Sequence, residues 1–490
     1  MTRRITRRRY LELSLGLVSA SLLAACSPAA APAAKPTEAP KPAAPAAQPP
    51  AAAPAAKPTE VPKPAQAAPA ATAGPTGSTA FDWKRFKGET LEVSLTTSPR
   101  ADLQKKHLDE FQELAGIKVN MEITPEQQAR QKQVIEFTSG NTSFDVTMVS
   151  WHVQKRLFGK GRWLEPLNDM LKDPTMTAPD FDFADFSKAS LDYATQSDGR
   201  IDTMPLTIDY WIVYYNKELF DAKGVKEPKT IDEMVAAAKA FHDPPKNVYG
   251  FVGRGLKNAN VPVWLGFMLG WDKDSVDKDG NLQTTSPEAI EAAKVYQDLL
   301  KNYAPAGVSG FNWNESQTLF YQGNAAMWFD GSGFAPPVED PSKSKIVGKV
   351  GYALQMAGPK AQYSSMFGDG MGISASSKKK GPAYFYLQWA CSKTMQNRLL
   401  QGGGGASCRT STYQDQQVLS NLTVPKAWAD ALVASSKIGR PGLPVIIPVT
   451  EFRDTFGIAL TNMIGGADPK AELERATAEF KPILEKSEKG

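Results

Sequence analysis

MPLTIDYWIVYYNKELFDAKGVKEPKTIDEMVAAAKAF, residues Met204 to Phe241, is the stretch of this chain that decides its fold. Residues 208–215 are β-branched and aromatic, which is typical of a buried strand. Asn216 predicts the N-cap of a short helix, and Gly224 predicts its left-handed end. A capping-box pattern that starts at Thr230 opens a second, alanine-rich helix. We therefore predict a strand followed by two helices.

Strands alternate with helices ahead of this stretch. Residues 91–97 and 118–124 alternate as strands, residues 101–115 and 126–139 have helical patterns, and residues 144–150 form a short apolar strand. Such alternation predicts a lobe of the α/β class with a largely parallel, doubly wound sheet.

The central stretch resembles the signature of extracellular solute-binding proteins of the sugar-binding family of bacterial ABC importers. In that family a proline precedes a strand that ends in Tyr-Asn-Lys, followed by Phe, Gly-Val and Pro-x-Thr. The matching positions are Pro205, Tyr215-Asn216-Lys217, Phe220, Gly224-Val225 and Pro228-Lys229-Thr230. Gly323-Asn324-Ala325-Ala326-Met327 is similar to the family's Gly-x-Ala-Ala-Met. The resemblance extends from about Phe81 to the C-terminus.

The resemblance implies a type II periplasmic-binding-protein-like fold, in which two discontinuous lobes are joined by a hinge. We expect residues 86–206 plus 352–400 in the first lobe, and residues 207–351 plus 401–490 in the second. It also implies the function of a substrate-binding component, which captures a sugar or oligosaccharide between the lobes and delivers it to the transmembrane subunits of an ABC permease. By the same resemblance we expect a monomer that is not an enzyme and needs no cofactor.

Residues 1–26 have the features of an export signal. Five arginines precede an apolar run, residues 13–25, that is too short to cross a membrane as an ordinary helix. Residues 6–11 resemble a twin-arginine signal, although Sec export stays open. Leu23-Ala24-Ala25-Cys26 resembles a lipobox, which implies that Cys26 carries lipid and anchors the protein on the outer side of the cell membrane. The alternative is a cleaved signal with an incidental cysteine.

Residues 27–80 are dominated by alanine, proline and lysine, a composition that predicts a semi-extended tether. The formal net charge of the chain is +4, and residues 1–26 hold five arginines and one glutamate. The remainder is therefore close to neutral, so no nucleic-acid partner is expected.

Two cysteines remain after Cys26. Cys391 and Cys408 lie 17 residues apart, and in an oxidising compartment they can form a disulfide or stay as free thiols. The three histidines are widely spaced and give no zinc-binding pattern, so no metal site is predicted.

Sugar recognition needs flat aromatic faces and a few fixed carboxylates, amides and guanidinium groups. Residues of these types occur where predicted strands end, where helices begin and in the turns between them. The predicted ligand-binding residues are Trp151, Tyr210, Trp264, Trp313, Asp330, Phe367, Asp369 and Arg409.

Two other classes of function stay open. One is a binder of a different solute, such as a polyamine, a glycerophosphodiester or a metal chelate. The other is an exported enzyme that acts on glycans, which needs two carboxylates roughly 5–10 Å apart across a groove. Asp330 and Asp369 are the pair to test for that role.

Overall fold

The structure is a computed structural model of the 490-residue chain, and it describes residues 80–489. The predictions for the export signal, for the lipid site at Cys26 and for the tether up to residue 79 lie outside the described residues.

The described part of the chain consists of strands and helices that alternate at first and become mainly helical towards the C-terminus. The strands are β1 (Thr90–Thr96), β2 (Lys118–Thr124), β3 (Val146–Ser150), β4 (Met204–Asn216), β5 (Met327–Gly331), β6 (Val350–Leu354), β7 (Ser364–Ile373) and β8 (Gly439–Pro441). The α-helices are α1 (Pro99–Lys106), α2 (Leu108–Ala115), α3 (Glu126–Ser139), α4 (Trp151–Gly161), α5 (Asn168–Lys172), α6 (Lys188–Ala194), α7 (Lys217–Lys223), α8 (Ile231–Phe241), α9 (Val261–Leu269), α10 (Pro287–Asn302), α11 (Trp313–Tyr321), α12 (Lys380–Ala390), α13 (Lys393–Gln401), α14 (Gln416–Ser420), α15 (Lys426–Ser436), α16 (Val449–Ile464) and α17 (Pro469–Lys489).

The sheet has the strand order β2-β1-β3-β7-β4-β5. The first three strands in this order are parallel, as predicted, whereas β7 runs antiparallel to β3 and to β4. The two remaining strands lie off this path, where β6 pairs with β4 and β8 with β7. The sheet is therefore mixed, with a parallel half at β1–β3 and an antiparallel half around β4.

Strand β4 takes part in both halves of the sheet. Residues 204–210 pair with β7, whereas residues 211–215 pair with β5 and residues 212–216 with β6. Twelve of its 13 residues are buried. A strand that is covered on both faces needs apolar residues at nearly every position, which explains why the strand pattern at 208–215 is almost continuous.

The helix ends after β4 are those that the sequence predicts. The Asn216 side chain accepts a hydrogen bond of 3.1 Å from the Glu218 N–H. Gly224 ends α7 with φ of 64°, and Thr230 and Glu233 form the capping box of α8. The helix predicted over residues 101–115, in contrast, is two helices, α1 and α2.

Two hydrophobic cores flank β4, and its alternating side chains serve both. Ile208, Tyr210 and Ile212 belong to the first core, whereas Trp211 and Val213 belong to the second. Buried residues from Ala406 to Leu432 join the first core, and those from Leu443 to Leu484 join the second. The boundaries of the lobes stay a prediction.

Cys391 and Cys408 are both fully buried, and the structure has them as free thiols, one of the two states left open from the sequence. The thiol of Cys391 points towards the carbonyl oxygen of Met204, 3.9 Å away. Burial raises the pKa of both thiols well above the ordinary value. Both sulfurs are therefore protonated and shielded.

No helix within residues 80–489 is long and apolar enough to cross a bilayer. In the same range no three His, Cys, Asp or Glu side chains come together as ligands for a metal ion.

The second core depends on Trp264, which is fully buried, donates a 3.0 Å hydrogen bond to the Ala289 carbonyl and stacks on Phe456. We expect Trp264→Ala to lower the free energy of unfolding by about 3–5 kcal/mol, because it leaves a large cavity. Urea denaturation measures this loss. The control is Ile135→Ala on a side chain that is 68% exposed, where we expect a change within about 0.5 kcal/mol. Unchanged stability of the Trp264 variant would contradict this role.

Candidate functional site

A cavity of about 290 Å³ lies where β4 crosses between the two halves of the sheet. One wall follows the C-terminal ends of the parallel strands β1, β2 and β3. The other wall is formed around β5, α11 and α16. Side chains of β4 and β7 lie between the two walls.

The first wall consists of polar residues that directly follow the parallel strands. Arg100 lies in the first turn of α1 after β1, and Glu126 and Arg130 begin α3 after β2. Ser150 ends β3, and His152 is in the first turn of α4. The carboxyl ends of parallel strands meet at one edge of a sheet, and the helix starts that follow them converge there.

Arg100 lies between two buried carboxylates at the centre of the cavity. Its Nη2 atom is 3.6 Å from Oδ2 of Asp209 and 3.2 Å from Oδ2 of Asp369. Oδ1 of Asp209 also accepts hydrogen bonds from the Ser332 hydroxyl, 2.6 Å, and from the Gly333 N–H, 2.9 Å. Burial raises the pKa of Asp369, and the Arg100 charge opposes that rise. The carboxylates are thus fixed acceptors at the cavity surface.

The opposite wall combines a second arginine with aromatic rings. Arg254 forms a bidentate ion pair with the fully buried Asp330, in which its Nε lies 2.9 Å from Oδ2. The guanidinium group lies 5.0 Å from the ring centre of Trp211. The rings of Trp313 and Phe334 are parallel, with centres 4.8 Å apart. Flat apolar faces and an oriented guanidinium group therefore line this side.

Charges from both walls approach each other at one end of the cavity. Arg130 pairs with Glu126 at 2.5 Å and lowers the pKa of that carboxyl group to about 2. Burial lowers the pKa of His152 to about 3, so its imidazole ring is neutral at physiological pH. Its Nδ1 lies 3.3 Å from the Gly368 carbonyl oxygen, which requires the proton on Nδ1. Arg453 of α16 completes this end.

Three of the predicted ligand-binding residues, Trp313, Phe367 and Asp369, line the cavity together. Asp330 lies behind Arg254 and has no exposed surface. Its carboxylate therefore orients a cavity residue and is not part of the lining. For the same reason Asp330 and Asp369 do not form a pair of carboxylates across an open groove.

The other four predicted residues lie outside the cavity lining, each for a packing reason. Trp151 donates a hydrogen bond to the Thr203 hydroxyl, 2.9 Å, and stacks on a buried tyrosine. Tyr210 lies on the face of β4 that belongs to the first core, and Trp264 is inside the second core. Arg409 is buried and donates hydrogen bonds to three main-chain carbonyl groups. Their binding role remains a prediction without a contact to support it.

Several lining residues were not predicted. Arg100, Glu126 and Arg130 could have been found, because each lies within six residues of the end of a parallel strand. Arg254 follows no regular element, and Arg453 lies within a helix whose pattern reveals only its core face. The sequence carries no local signal for these two arginines.

The fold and the cavity define a two-lobed protein that holds a small solute between its halves. The sequence of residues 94–397 matches the bacterial extracellular solute-binding protein family, and the chain belongs to that family. This confirms the predicted family and fold class, and it means an extracytoplasmic location. The family and the similar structures consist of binding proteins.

Several of the similar proteins are named for a sugar alcohol or were solved with one bound. The chain is 26% identical over 437 residues to the erythritol/L-threitol-binding protein of Mycolicibacterium smegmatis, covering 83% of this chain and 88% of that protein. It is 24% identical over 379 residues to the mannitol-binding protein of Pseudomonas aeruginosa, covering 71% and 83%. An ABC transporter solute-binding protein from Agrobacterium radiobacter, solved in complex with ribitol, superposes with a TM-score of 0.75 at 26% identity, covering 81% of this chain and 99% of that one.

Arg100 forms ion pairs with two buried carboxylates, so its removal should be costly. We expect Arg100→Gln to lower the free energy of unfolding by about 3–5 kcal/mol at neutral pH, because uncompensated charges stay buried. Urea denaturation measures the change, and adding Asp369→Asn should recover part of it.

The control for Arg100 is Arg475→Gln, since the Arg475 side chain is 43% exposed and pairs only with surface glutamates. There we expect a loss below about 1 kcal/mol. Equal losses at the two arginines would contradict the importance of the buried ion pairs.

Proposed function

We propose that this protein captures a small sugar or sugar alcohol in the cavity and delivers it to the permease of an ABC importer. The observation that carries the proposal is the pairing of aromatic faces with fixed, buried carboxylate and guanidinium groups in one cavity. A polyhydroxyl ligand needs apolar faces for its C–H groups and fixed partners for its hydroxyl groups. The erythritol-, mannitol- and ribitol-binding relatives support the same class of ligand.

We assign the roles by chemistry. Trp211, Trp313 and Phe367 offer their rings to the carbon chain of the ligand, while Asp209 and Asp369 accept hydrogen bonds from its hydroxyl groups. The cavity of about 290 Å³ lies at the lower end of the range of about 300–1,000 Å³ for small-molecule sites. This size favours a ligand no longer than a single sugar unit.

Delivery depends on closure of the two halves around the ligand. The first wall and the second wall are joined by the strands that cross at β4 and β7. A ligand that contacts both walls stabilises the closed form by its higher affinity for that form. In this proposal the permease recognises the closed form.

Neither alternative function is favoured. The relatives described above carry names of sugar alcohols, and Asp330 is held by Arg254 away from the cavity surface. The proposal therefore includes no catalytic step.

Trp313 and Trp271 give a matched test of ligand binding, since both are partly buried but only Trp313 lines the cavity. We expect erythritol, ribitol, mannitol or a monosaccharide to raise the midpoint of thermal unfolding of the full-length protein. A ligand at 100 times its Kd stabilises by about 2.7 kcal/mol. Calorimetry should show that Trp313→Ala lowers affinity about tenfold through loss of aromatic contact, while Trp271→Ala does not. No response to any of these compounds would overturn the proposal.

We further propose that Cys26 carries a lipid anchor, that residues 27–80 tether the binding domain to the membrane, and that the protein acts as a monomer. Acyl chains contribute about 0.8 kcal/mol for each buried CH₂ group, so two or more chains hold a protein on a bilayer. The export route, twin-arginine or Sec, does not alter this arrangement.

The anchor is tested by fractionating cells that express Cys26→Ser. We expect the wild-type protein in the membrane fraction and the variant, without its acyl chains, in the soluble fraction or retained as an unprocessed precursor. Ser27→Ala is the neighbouring control and should stay with the membrane. A fully processed, membrane-bound Cys26→Ser protein would exclude this cysteine as the lipid site.

A further inference from the structure

Three of the four arginines that line the cavity have a carboxylate partner. The pairs are Arg100 with Asp209 and Asp369, Arg130 with Glu126, and Arg254 with Asp330. The fourth arginine, Arg453, has none: within residues 80–489 no carboxylate oxygen lies within 4.0 Å of it. Its single hydrogen bond runs from Nε to the Asn258 carbonyl oxygen, at 3.1 Å.

Arg453 is nevertheless buried, with 6% of its surface exposed. Burying a charged group is costly unless an opposite charge and hydrogen bonds replace the lost water. Burial and the nearby positive charge of Arg130 lower the pKa of Arg453 to about 9. The two terminal amino groups of this guanidinium group are thus available as hydrogen-bond donors, and no ion pair in the described part of the chain offsets its positive charge.

The position of Arg453 shows what can neutralise it. The residue belongs to α16, which packs in the second core, whereas Arg130 belongs to α3 on the first wall. Both line the same cavity, and the positive charge of Arg130 is near enough to lower the pKa of Arg453. Glu126, the acidic residue at this end, is already paired with Arg130. Glu126 and Asp454 lie near enough to favour the charged form of Arg453, but neither forms an ion pair with it, so its terminal amino groups can still bind an anionic group of the solute.

We propose that the solute is a short polyol that carries one anionic group, a carboxylate or a phosphate, and that Arg453 binds this group. This inference rests on the proposed function and narrows its ligand class. The hydroxyl-bearing chain lies towards Asp209 and Asp369, and the anion lies at the Arg453 end.

A neutral polyol interacts less favourably with Arg453 at this end of the cavity. A hydroxyl oxygen accepts a hydrogen bond from a guanidinium group but leaves its charge uncompensated. A carboxylate or phosphate accepts two parallel hydrogen bonds from the planar fork and neutralises the charge as well. The anion also removes the repulsion between Arg453 and Arg130 that opposes closure, so binding and closure become coupled.

Calorimetry on the full-length protein with ribitol, ribonate and ribitol 5-phosphate tests the proposal. We expect ribonate or ribitol 5-phosphate to bind about tenfold or more tightly than ribitol, since hydrogen bonds to charged groups are the stronger ones. The two acids distinguish a carboxylate ligand from a phosphate ligand.

Variants at Arg453 separate recognition of charge from structural support. Arg453→Gln should abolish the advantage of the acid over ribitol, measured as the ratio of the two Kd values within the same variant. Arg453→Lys, which keeps the charge and loses the fork, should retain part of the advantage. Arg475→Gln on the exposed face of α17 is the control and should behave as wild type.

The results distinguish this inference from the proposed function. If ribitol binds as tightly as both acids, or if Arg453→Gln weakens neutral and acidic ligands equally, the anionic ligand is excluded and the sugar-alcohol function stands. If neither neutral polyols, sugars nor the acids bind, both fail together.

Discussion

The structure depends on the backbone hydrogen bonds of one strand. β4 pairs with β7 along its first half and with β5 and β6 along its second half. A single strand therefore belongs to both halves of the sheet. Asp209 and Trp211 lie at the changeover and face the cavity. Backbone hydrogen bonds on both sides of this crossing fix these side chains relative to both walls. They form the floor of the cavity, and the two walls supply the other lining groups.

Buried charge is the second constraint on this molecule. The centre of the cavity holds carboxylates and guanidinium groups that are each largely shielded from water, and the ion pairs among them lower the cost of burying their charges. Pairing also fixes their orientation, because Asp330 holds Arg254 through two bonds and Arg100 lies between two acids. These cavity groups are therefore oriented before any solute binds, which lowers the ordering cost of binding.

Local signals in the sequence predict local structure well and the cavity only in part. Asn216, Gly224 and Thr230 act where predicted, because capping is a contact between near neighbours. Tyr210 and Trp211 show the limit: both are aromatic and adjacent, and only the pairing of β4 decides which one faces the cavity. Arg453 reaches the cavity through the packing of α16 against distant segments. The residue pattern of a single helix does not predict contacts with segments that are distant in sequence.

Free, buried thiols have a consequence for how this protein matures. Cys391 and Cys408 are enclosed by the first core, and their protonated sulfurs are poor nucleophiles. Outside the cytoplasm, solvent-accessible cysteines react with oxidants and exchange with other thiols. Here the folded chain itself prevents that chemistry. Within residues 80–489 the native state therefore contains no disulfide that would have to form during maturation.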